Sequence, residues 1–256
     1  MNKVAERSLR NDQEERLRIQ VAACVRLLHM QKILSYNGHV STRLPGRDAL
    51  MIHSLVESRA EVAPASLLVV DFDGRVLDGE EGVKPPSEVF IHSEIYRARP
   101  DVNAVAHVHS ENALALTLVK GGKMHLMRCD SVRWRSGIPV HPDPSRIRTP
   151  EQGRELAATL GPHNAALMRA HGGLLVAETI PSVLAAAIQF EENARAQMLA
   201  ATAGEIQPLT KLELDELSKS SPPEFMAHYA SKIWKYYVQE GIAVGIIPES
   251  WKPELN

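Results

Sequence analysis

Two histidines one residue apart, His107 and His109, are the residues whose type and spacing best fit a metal site. Residues 102 to 109 alternate in polarity as a strand does, which would place both imidazoles on one face, about 6 to 7 Å apart along the backbone. One cation is within reach of two such rings, because metal–nitrogen distances are about 2.0 to 2.2 Å. His171, in a predicted turn between strands, is the best candidate for a third ligand. Three imidazoles would leave a coordination position open, as in catalytic sites.

A His-x-His pair also occurs by chance, so structural histidines are the alternative interpretation. Glu88 favours the metal site, since it lies at the start of a predicted helix, where an anion is stabilised, and that helix leads into the His-x-His strand. Considered locally, an ordinary first-turn glutamate explains Glu88 more simply. The remaining histidines show how easily the chain acquires them: His39, His53, His92, His125, His141, His163 and His228.

The elements that must position these side chains are predicted from local patterns. Ser87 is predicted to cap a helix that Pro100 ends, with Ile91, His92, Ile95 and Tyr96 at i, i+4 spacing. In the strand that follows, Val102, Ala104, Ala106 and Val108 are expected on one face, and Val105 with both histidines on the other.

Other patterns predict helices that alternate with short strands. An Asp-Gly turn between residues 67 to 71 and 72 to 77 predicts a hairpin, and strands are expected at 165 to 168 and 174 to 177. Helices are predicted from 13 to 34, from Thr149 to Gly161, from Pro181 to Gly204, and from Ser221 to about Gly241. Because hairpins join several strands, we expect an α/β fold with a mostly antiparallel sheet covered by helices.

Composition describes an ordinary globular protein. The 256 residues are 44% hydrophobic and 23% charged, with a net charge of −2, which gives no indication of disorder or of nucleic-acid binding. Cys24 and Cys129 form no CxxC motif, so two structural thiols in a reducing compartment are expected rather than a disulfide. The charged first twenty residues and the lack of a long apolar run predict a cytoplasmic protein without a membrane partner.

Three segments together resemble the class II aldolase/adducin family: Pro85-Pro86-Ser87-Glu88, the run from Arg99 to His109, and His171-Gly172-Gly173. Their order and the 19-residue gap from Glu88 to His107 both match the pattern of that family, and the resemblance covers about residues 15 to 203. The resemblance implies a three-layer αβα fold, one domain over residues 1–256 with a helical extension at 204–256, and a homotetramer. It also implies that His107, His109 and His171 hold one divalent metal ion per subunit, with Glu88 as a ligand or as an acid/base.

The chain departs from the sugar-phosphate members at their phosphate-binding segments. A Gly-Asn-x-Ser segment reads Gly38-His39-Val40-Ser41 here, a Thr-Gly region reads His53-Ser54, and a serine pair reads Pro86-Ser87. Proline supplies no donor, whereas His39, His53 and Arg59 could pair with a carboxylate. The pattern resembles the family's decarboxylase branch and implies a hydroxylated aromatic dicarboxylate, like 3,4-dihydroxyphthalate or a hydroxypyridine dicarboxylate, as the substrate. Loss of carbon dioxide would leave an enolate, which the cation stabilises.

The resemblance also suggests roles for individual residues. Glu88 or a nearby histidine, His39 or His53, would move the proton, and Ser87, Arg59, His53 and Ser54 would bind the substrate. Tyr236 or Tyr237, from this or an adjacent subunit, would close the pocket, with plain packing as the alternative. Manganese or zinc is the expected metal, with cobalt or iron possible. Two other functions stay open: an aldolase or epimerase acting on a sugar phosphate, and a non-catalytic adducin-like interaction module.

Overall fold

Helices alternate with short strands along most of the chain. The computed structural model describes the backbone of residues 3–256 and the side chains of residues 12–256. The helices are α1 (Lys3–Met30), α2 (Val89–Ala98), α3 (Glu111–Thr117), α4 (Pro150–Leu160), α5 (Ile180–Ala203), α6 (Lys211–Lys219), α7 (Pro223–Ala243) and α8 (Lys252–Leu255). The strands are β1 (His39–Arg43), β2 (Ala49–Ile52), β3 (Leu68–Asp71), β4 (Val76–Asp78), β5 (Ala104–Val108), β6 (Val140–His141), β7 (Ala165–Met168) and β8 (Gly172–Ala177).

Within the described residues, the eight strands form one sheet in the order β4-β3-β2-β1-β5-β8-β7-β6. All neighbouring strands are antiparallel except β6 and β7. In this order β5 lies between β1 and β8, which are far from each other in the sequence. The expected mostly antiparallel sheet is confirmed.

Helices cover both faces of the sheet, as a three-layer fold requires. On one face, α1 and α5 pack against Ala104, Ala106 and Val108 of β5. On the other face, α2 and α4 pack against each other and against Val105 and Leu174. The two apolar cores therefore lie on opposite sides of β5, and the α/β class is confirmed.

The last fifty residues pack on the layer of α1 and α5. Trp234, Val238, Ile247 and Leu255 are buried in that core, and Trp234 Nε1 donates to the carbonyl of Leu255 at 2.8 Å. The division into a family core and a C-terminal extension stays a prediction. No helix in the described part of the chain is both long enough and apolar enough to cross a bilayer.

Several boundaries differ from the predicted ones. Ser87 does not cap α2, because that helix begins at Val89 and its N-cap position is Glu88, whose side chain makes no cap hydrogen bond. Val102 precedes β5 and joins the core of Val105, so its expected place on the opposite face was wrong. Cys24 is buried as expected, but Cys129 is exposed.

The remaining elements lie close to their predicted ranges, are shifted from them, or were not predicted. The hairpin of β3 and β4 and the helices α4, α5 and α7 lie close to their predicted ranges. The first helix starts at Lys3 and ends at Met30, earlier at both ends than expected. Strands β1, β2 and β6 and helices α3 and α6 were not predicted.

Candidate metal centre

The His-x-His pair lies where β5 ends beside the start of β8. His107 faces Leu174, and Val108 faces Gly173, in the antiparallel register of these strands. The Nδ1–H of His107 donates to the carbonyl oxygen of Gly173 at 3.1 Å. This bond leaves the Nε2 lone pair of His107 free to bind a cation, as second-shell bonds do for metal-ligating histidines.

Two glycines allow β8 to approach β5 this closely. A Cβ on Gly172 would lie 2.2 Å from the carbonyl oxygen of Val108, and a Cβ on Gly173 would lie 2.7 Å from the ring of Phe190. His171 precedes them in a turn where Ala170 has a φ of 53°. The backbone N–H of Ala170 donates to Thr117 Oγ1 at 2.9 Å, which stabilises this left-handed conformation. The predicted turn position of His171 is therefore confirmed.

The three imidazoles and one carboxylate converge on a single point. His107 Nε2 and His109 Nε2 are 3.0 Å apart, and His171 Nε2 lies 3.4 Å from Glu88 Oε1. The ring centroids of the three histidines are 4.7, 4.9 and 5.1 Å from one another. One ligand atom from each of the four residues lies within 4.8 Å of every other.

These residues fit a divalent cation. Ligand atoms bound at about 2.0 to 2.2 Å around one ion are separated by distances of the kind seen here, so small side-chain movements would complete the shell. His107 Nε2 faces His109 Nε2, and it has a free lone pair because Nδ1 of His107 holds the ring proton. Nδ1 of His171 is buried with no hydrogen-bond partner among the described residues. Imidazole with carboxylate suits zinc, manganese, cobalt or iron.

Electrostatics keep the ligands in their metal-binding forms. Burial, together with the neighbouring His109, lowers the pKa of His107 well below its usual range, and burial with His171 lowers the pKa of His109 to about 4. Burial alone would raise the pKa of Glu88, but hydrogen bonding and charge from the histidines and the Ile147 N–H hold it at about 2. Neutral imidazoles beside a carboxylate anion are the protonation states that a cation requires.

The polar side chains predicted to bind substrate divide into two groups. His39, His53 and Arg59 are buried, and the His39 ring lies 5.0 Å from that of His107 and 6.4 Å from that of His53. The Arg59 guanidinium donates only to the carbonyls of Gly38 and Glu57 in the described structure, so no carboxylate is hydrogen-bonded to it. The nearby charge of Glu57 partly offsets the lowering of the Arg59 pKa by burial. Ser54 is buried, and its carbonyl oxygen is 2.9 Å from His53 Nδ1.

The other two predicted residues lie outside this cluster. Ser87 is exposed next to Glu88. Tyr236 is 55% exposed on α7, which packs on α5 and α1, and its hydroxyl donates to Glu240 at 3.0 Å. Helices α5 and α1 cover the sheet face opposite α2, so Tyr236 contacts none of the four ligand candidates of its own chain in the described structure. Tyr236 could take part in the site only from an adjacent subunit.

Several residues near the site were not assigned a role from the sequence. His92 and Ser41 approach His39 from α2 and β1, and Ile147 donates its N–H to Glu88 Oε1 at 3.1 Å. The charge of Arg146 helps to lower the pKa of His109, which places this arginine near the metal ligands. Alternation along residues 39 to 43 could have placed His39 and Ser41 on one strand face.

Comparison with known proteins agrees with this geometry. The family described as the class II aldolase and adducin N-terminal domain matches residues 19–198. The chain belongs to this family. A 3,4-dihydroxyphthalate decarboxylase from Rhodococcus jostii strain RHA1 is 28% identical, with 81% of this chain and 88% of that protein covered. A protein of the same name from Arthrobacter keyseri is 27% identical, covering 71% and 77% respectively.

A solved structure shows the same fold. The L-fuculose 1-phosphate aldolase from Glaciozyma antarctica PI12 superposes with a TM-score of 0.80 at 22% identity, over 91% of this chain and 92% of that chain. Class II aldolases are lyases that use a divalent metal, and this class II aldolase-family chain has a cluster able to hold one.

Proposed function

We propose that this class II aldolase-family protein is a metal-dependent decarboxylase of a hydroxylated aromatic dicarboxylate. The observation that carries the proposal is the pairing of a three-histidine, one-glutamate cluster with Arg59, a buried cation to which no carboxylate of the described chain is hydrogen-bonded. A buried guanidinium is costly unless an anion pairs with it, and its planar fork matches a carboxylate. Two relatives named for 3,4-dihydroxyphthalate decarboxylation support the same substrate class.

The side chains around the cluster have complementary tasks in this reaction. Arg59, with His53 and Ser54 beside it, orients the carboxylate that is retained, while Ser87 lies at the rim. The scissile bond between ring carbon and carboxylate breaks, its electron pair stays with the ring, and carbon dioxide leaves. A bound divalent cation supplies Lewis-acid stabilisation of negative charge on the substrate oxygens. The proton that replaces the lost carboxylate is moved by Glu88, a member of the cluster, or by His39, whose ring lies 5.0 Å from that of His107.

The metal is proposed to be manganese or zinc, since the ligand set accepts either. We also propose a homotetramer, in which Tyr236 of one subunit could approach the site of the next. Light scattering gives the oligomer mass directly. Tyr236→Phe in the assembled protein, with Tyr229→Phe as control, reports whether the hydroxyl takes part in turnover.

The test loads purified protein with zinc, manganese, cobalt or iron(II) and measures carbon dioxide release from hydroxyaromatic dicarboxylates. The matching monocarboxylates, which lack the group that Arg59 would hold, serve as controls. We expect release only from dicarboxylates and only with metal. No release from any acid, together with cleavage of a ketose phosphate, would instead establish a sugar-phosphate aldolase, for which the fold shared with L-fuculose 1-phosphate aldolase is the supporting observation. An inability to bind metal would favour a non-catalytic module.

A further inference from the structure

Buried polar groups form a continuous hydrogen-bonded row behind the metal cluster. Tyr96 OH lies 2.8 Å from Ser41 Oγ, Ser41 Oγ lies 2.6 Å from His92 Nδ1, and His92 Nε2 lies 2.6 Å from His39 Nδ1. All four side chains are at most 4% exposed. Two elements contribute to the row: α2 carries His92 and Tyr96, and β1, which pairs with β5, carries His39 and Ser41.

Each contact in this row is made by one proton, so the contact between the two histidines has two possible directions: His92 Nε2–H donates to His39 Nδ1, or His39 Nδ1–H donates to His92 Nε2. His39 and His92 are buried and no carboxylate is hydrogen-bonded to either ring, so each ring is neutral and carries a single proton. In the first case Tyr96 donates to Ser41 and Ser41 donates to His92 Nδ1. In the second case His92 Nδ1–H donates to Ser41, which can either donate to Tyr96 or accept from it. Each direction also fixes which nitrogen of His39 is protonated.

The surroundings of Tyr96 favour the first direction. Were His39 the donor, either the phenol proton or the Ser41 proton would lack an acceptor, because the only side-chain partners of Ser41 in the described structure are His92 and Tyr96, and that of Tyr96 is Ser41. The nearest charged group is cationic, since the Arg43 guanidinium lies 4.9 Å from the Tyr96 ring. A buried donor without an acceptor costs about 1 to 3 kcal/mol. When the row runs from Tyr96, every proton up to His39 has an acceptor within the protein.

The free end of the row then faces the metal cluster. His39 is the cross-strand partner of His107, and their ring centroids are 5.0 Å apart. His39 Nε2 has no hydrogen-bond partner among the described residues. When His92 donates to His39 Nδ1, His39 therefore carries an Nε2–H for which the described residues supply no acceptor.

We propose that Tyr96, Ser41 and His92 are positioning residues that fix His39 as its Nε2–H tautomer, so that it presents a hydrogen-bond donor to an oxygen of the substrate at the metal. The identity of that oxygen, a carboxylate or ring hydroxyl, rests on the proposed function. The tautomer itself does not.

The test is ¹⁵N NMR of imidazole-labelled protein loaded with zinc, which is diamagnetic, with His39 assigned by its loss in His39→Gln. Wild-type protein should show His39 protonated at Nε2. Ser41→Ala and Tyr96→Phe each remove a contact of the row that favours one tautomer of His39, so both tautomers of His39 should be populated in these variants. Ser41→Thr retains a hydroxyl and should restore the wild-type signal. The matched control is Ser93→Ala, because Ser93 is equally buried, adjacent to His92 and without a partner in the described structure.

Activity supplies a second readout once a substrate is known. Ser41→Ala should lower kcat by about tenfold or more at unchanged zinc content and similar KM, as loss of an outer-shell partner does. Ser93→Ala should not. A wild-type His39 protonated at Nδ1, or a tautomer equally fixed in Ser41→Ala and Ser93→Ala, would overturn the proposal. Because the NMR measurement needs no substrate, its result is separate from that of the decarboxylase assay.

Discussion

At the scale of single residues, the site consists of side chains whose polar atoms could bind a further group. The Nε2 atoms of His107 and His109 face each other at 3.0 Å, and His171 Nε2 lies 3.4 Å from Glu88 Oε1. In a protein interior such groups cost free energy unless something binds them. A cation between the rings would bind the facing nitrogen lone pairs, and a substrate carboxylate beside Arg59 would pair with its guanidinium.

His171→Ala should weaken zinc or manganese binding by more than about 100-fold, since even outer-shell changes cost about 10- to 100-fold in affinity. The bound metal can be quantified after dialysis against a competing chelator. His228→Ala is the control, because His228 is exposed on α7, away from the ligand candidates. Equal metal content in both variants would remove His171 from the ligand set.

Arg59→Lys should raise KM for a dicarboxylate by about tenfold, because a lysine keeps the charge but loses the two-pronged donor geometry worth about 1.5 to 3 kcal/mol in a charged hydrogen bond. Metal content should stay the same. The exposed Arg47 offers the matched change Arg47→Lys. An unaltered KM in Arg59→Lys would show that the carboxylate binds elsewhere.

At the scale of elements, local signals predicted the helices better than the strands. Thr149 and Gln152 form the predicted capping box of α4, with Pro150 at the first helical position and the Thr149 side chain accepting from Gln152 N–H. Strand β1 escaped prediction because its residues, His39 to Arg43, are mostly polar, and their burial depends on α2 lying across them. A polar strand becomes buried only when its neighbours satisfy its side chains, which periodicity does not reveal.

The close approach of β8 to β5 makes Gly172 the sensitive point of the framework. Gly172→Ala should destabilise the protein by about 3 kcal/mol, since the new Cβ would meet a backbone carbonyl that only a shift of the strands can relieve. Gly82→Ala should cost only about 1 kcal/mol, because its φ of 81° is unfavourable for alanine but the space around it is open.

Urea unfolding at pH 7.5 measures both glycine variants. Metal content provides a second comparison, because His107 and His171 flank the β5 and β8 contact and should be displaced only in Gly172→Ala. Equal losses of stability in the two variants would mean that β8 can move away from β5 without penalty.

At the scale of the whole molecule, burying several neutral histidines makes stability depend on pH. Burial lowers the pKa of His92 to about 3, whereas the unfolded chain titrates near its ordinary value, so below that value only the unfolded state gains the proton. Stability therefore falls as pH decreases towards 3, by up to about 1.4 kcal/mol per pH unit for each such histidine.

His92→Gln should accordingly lose less stability than wild type between pH 6.5 and pH 4, and the difference between them should be constant above pH 7.5. Equilibrium urea unfolding across this range measures both proteins. The groups facing His92 are His39, Ser41 and the more distant His53, none of which is anionic. Parallel stability curves for the two proteins throughout the range would show that His92 is protonated in the folded state.

By itself, the sequence predicted the types of the candidate ligands, their order along the chain and the fold class. His107 and His109 share a face because side chains alternate along a strand, and His171 and Glu88 sit at a turn and at a helix start that local residues specify. These are short-range consequences of backbone geometry, so they can be predicted without knowing the neighbours.

Only the tertiary structure decided what surrounds those ligands. The sheet order places β1 beside β5, which brings His39 opposite His107, and the packing of α2 adds His92 from 53 residues further along the chain. Pairing between distant strands depends on how the whole apolar surface can be buried at once, and no local pattern encodes that choice. The same packing put Tyr236 on the far face of its own subunit.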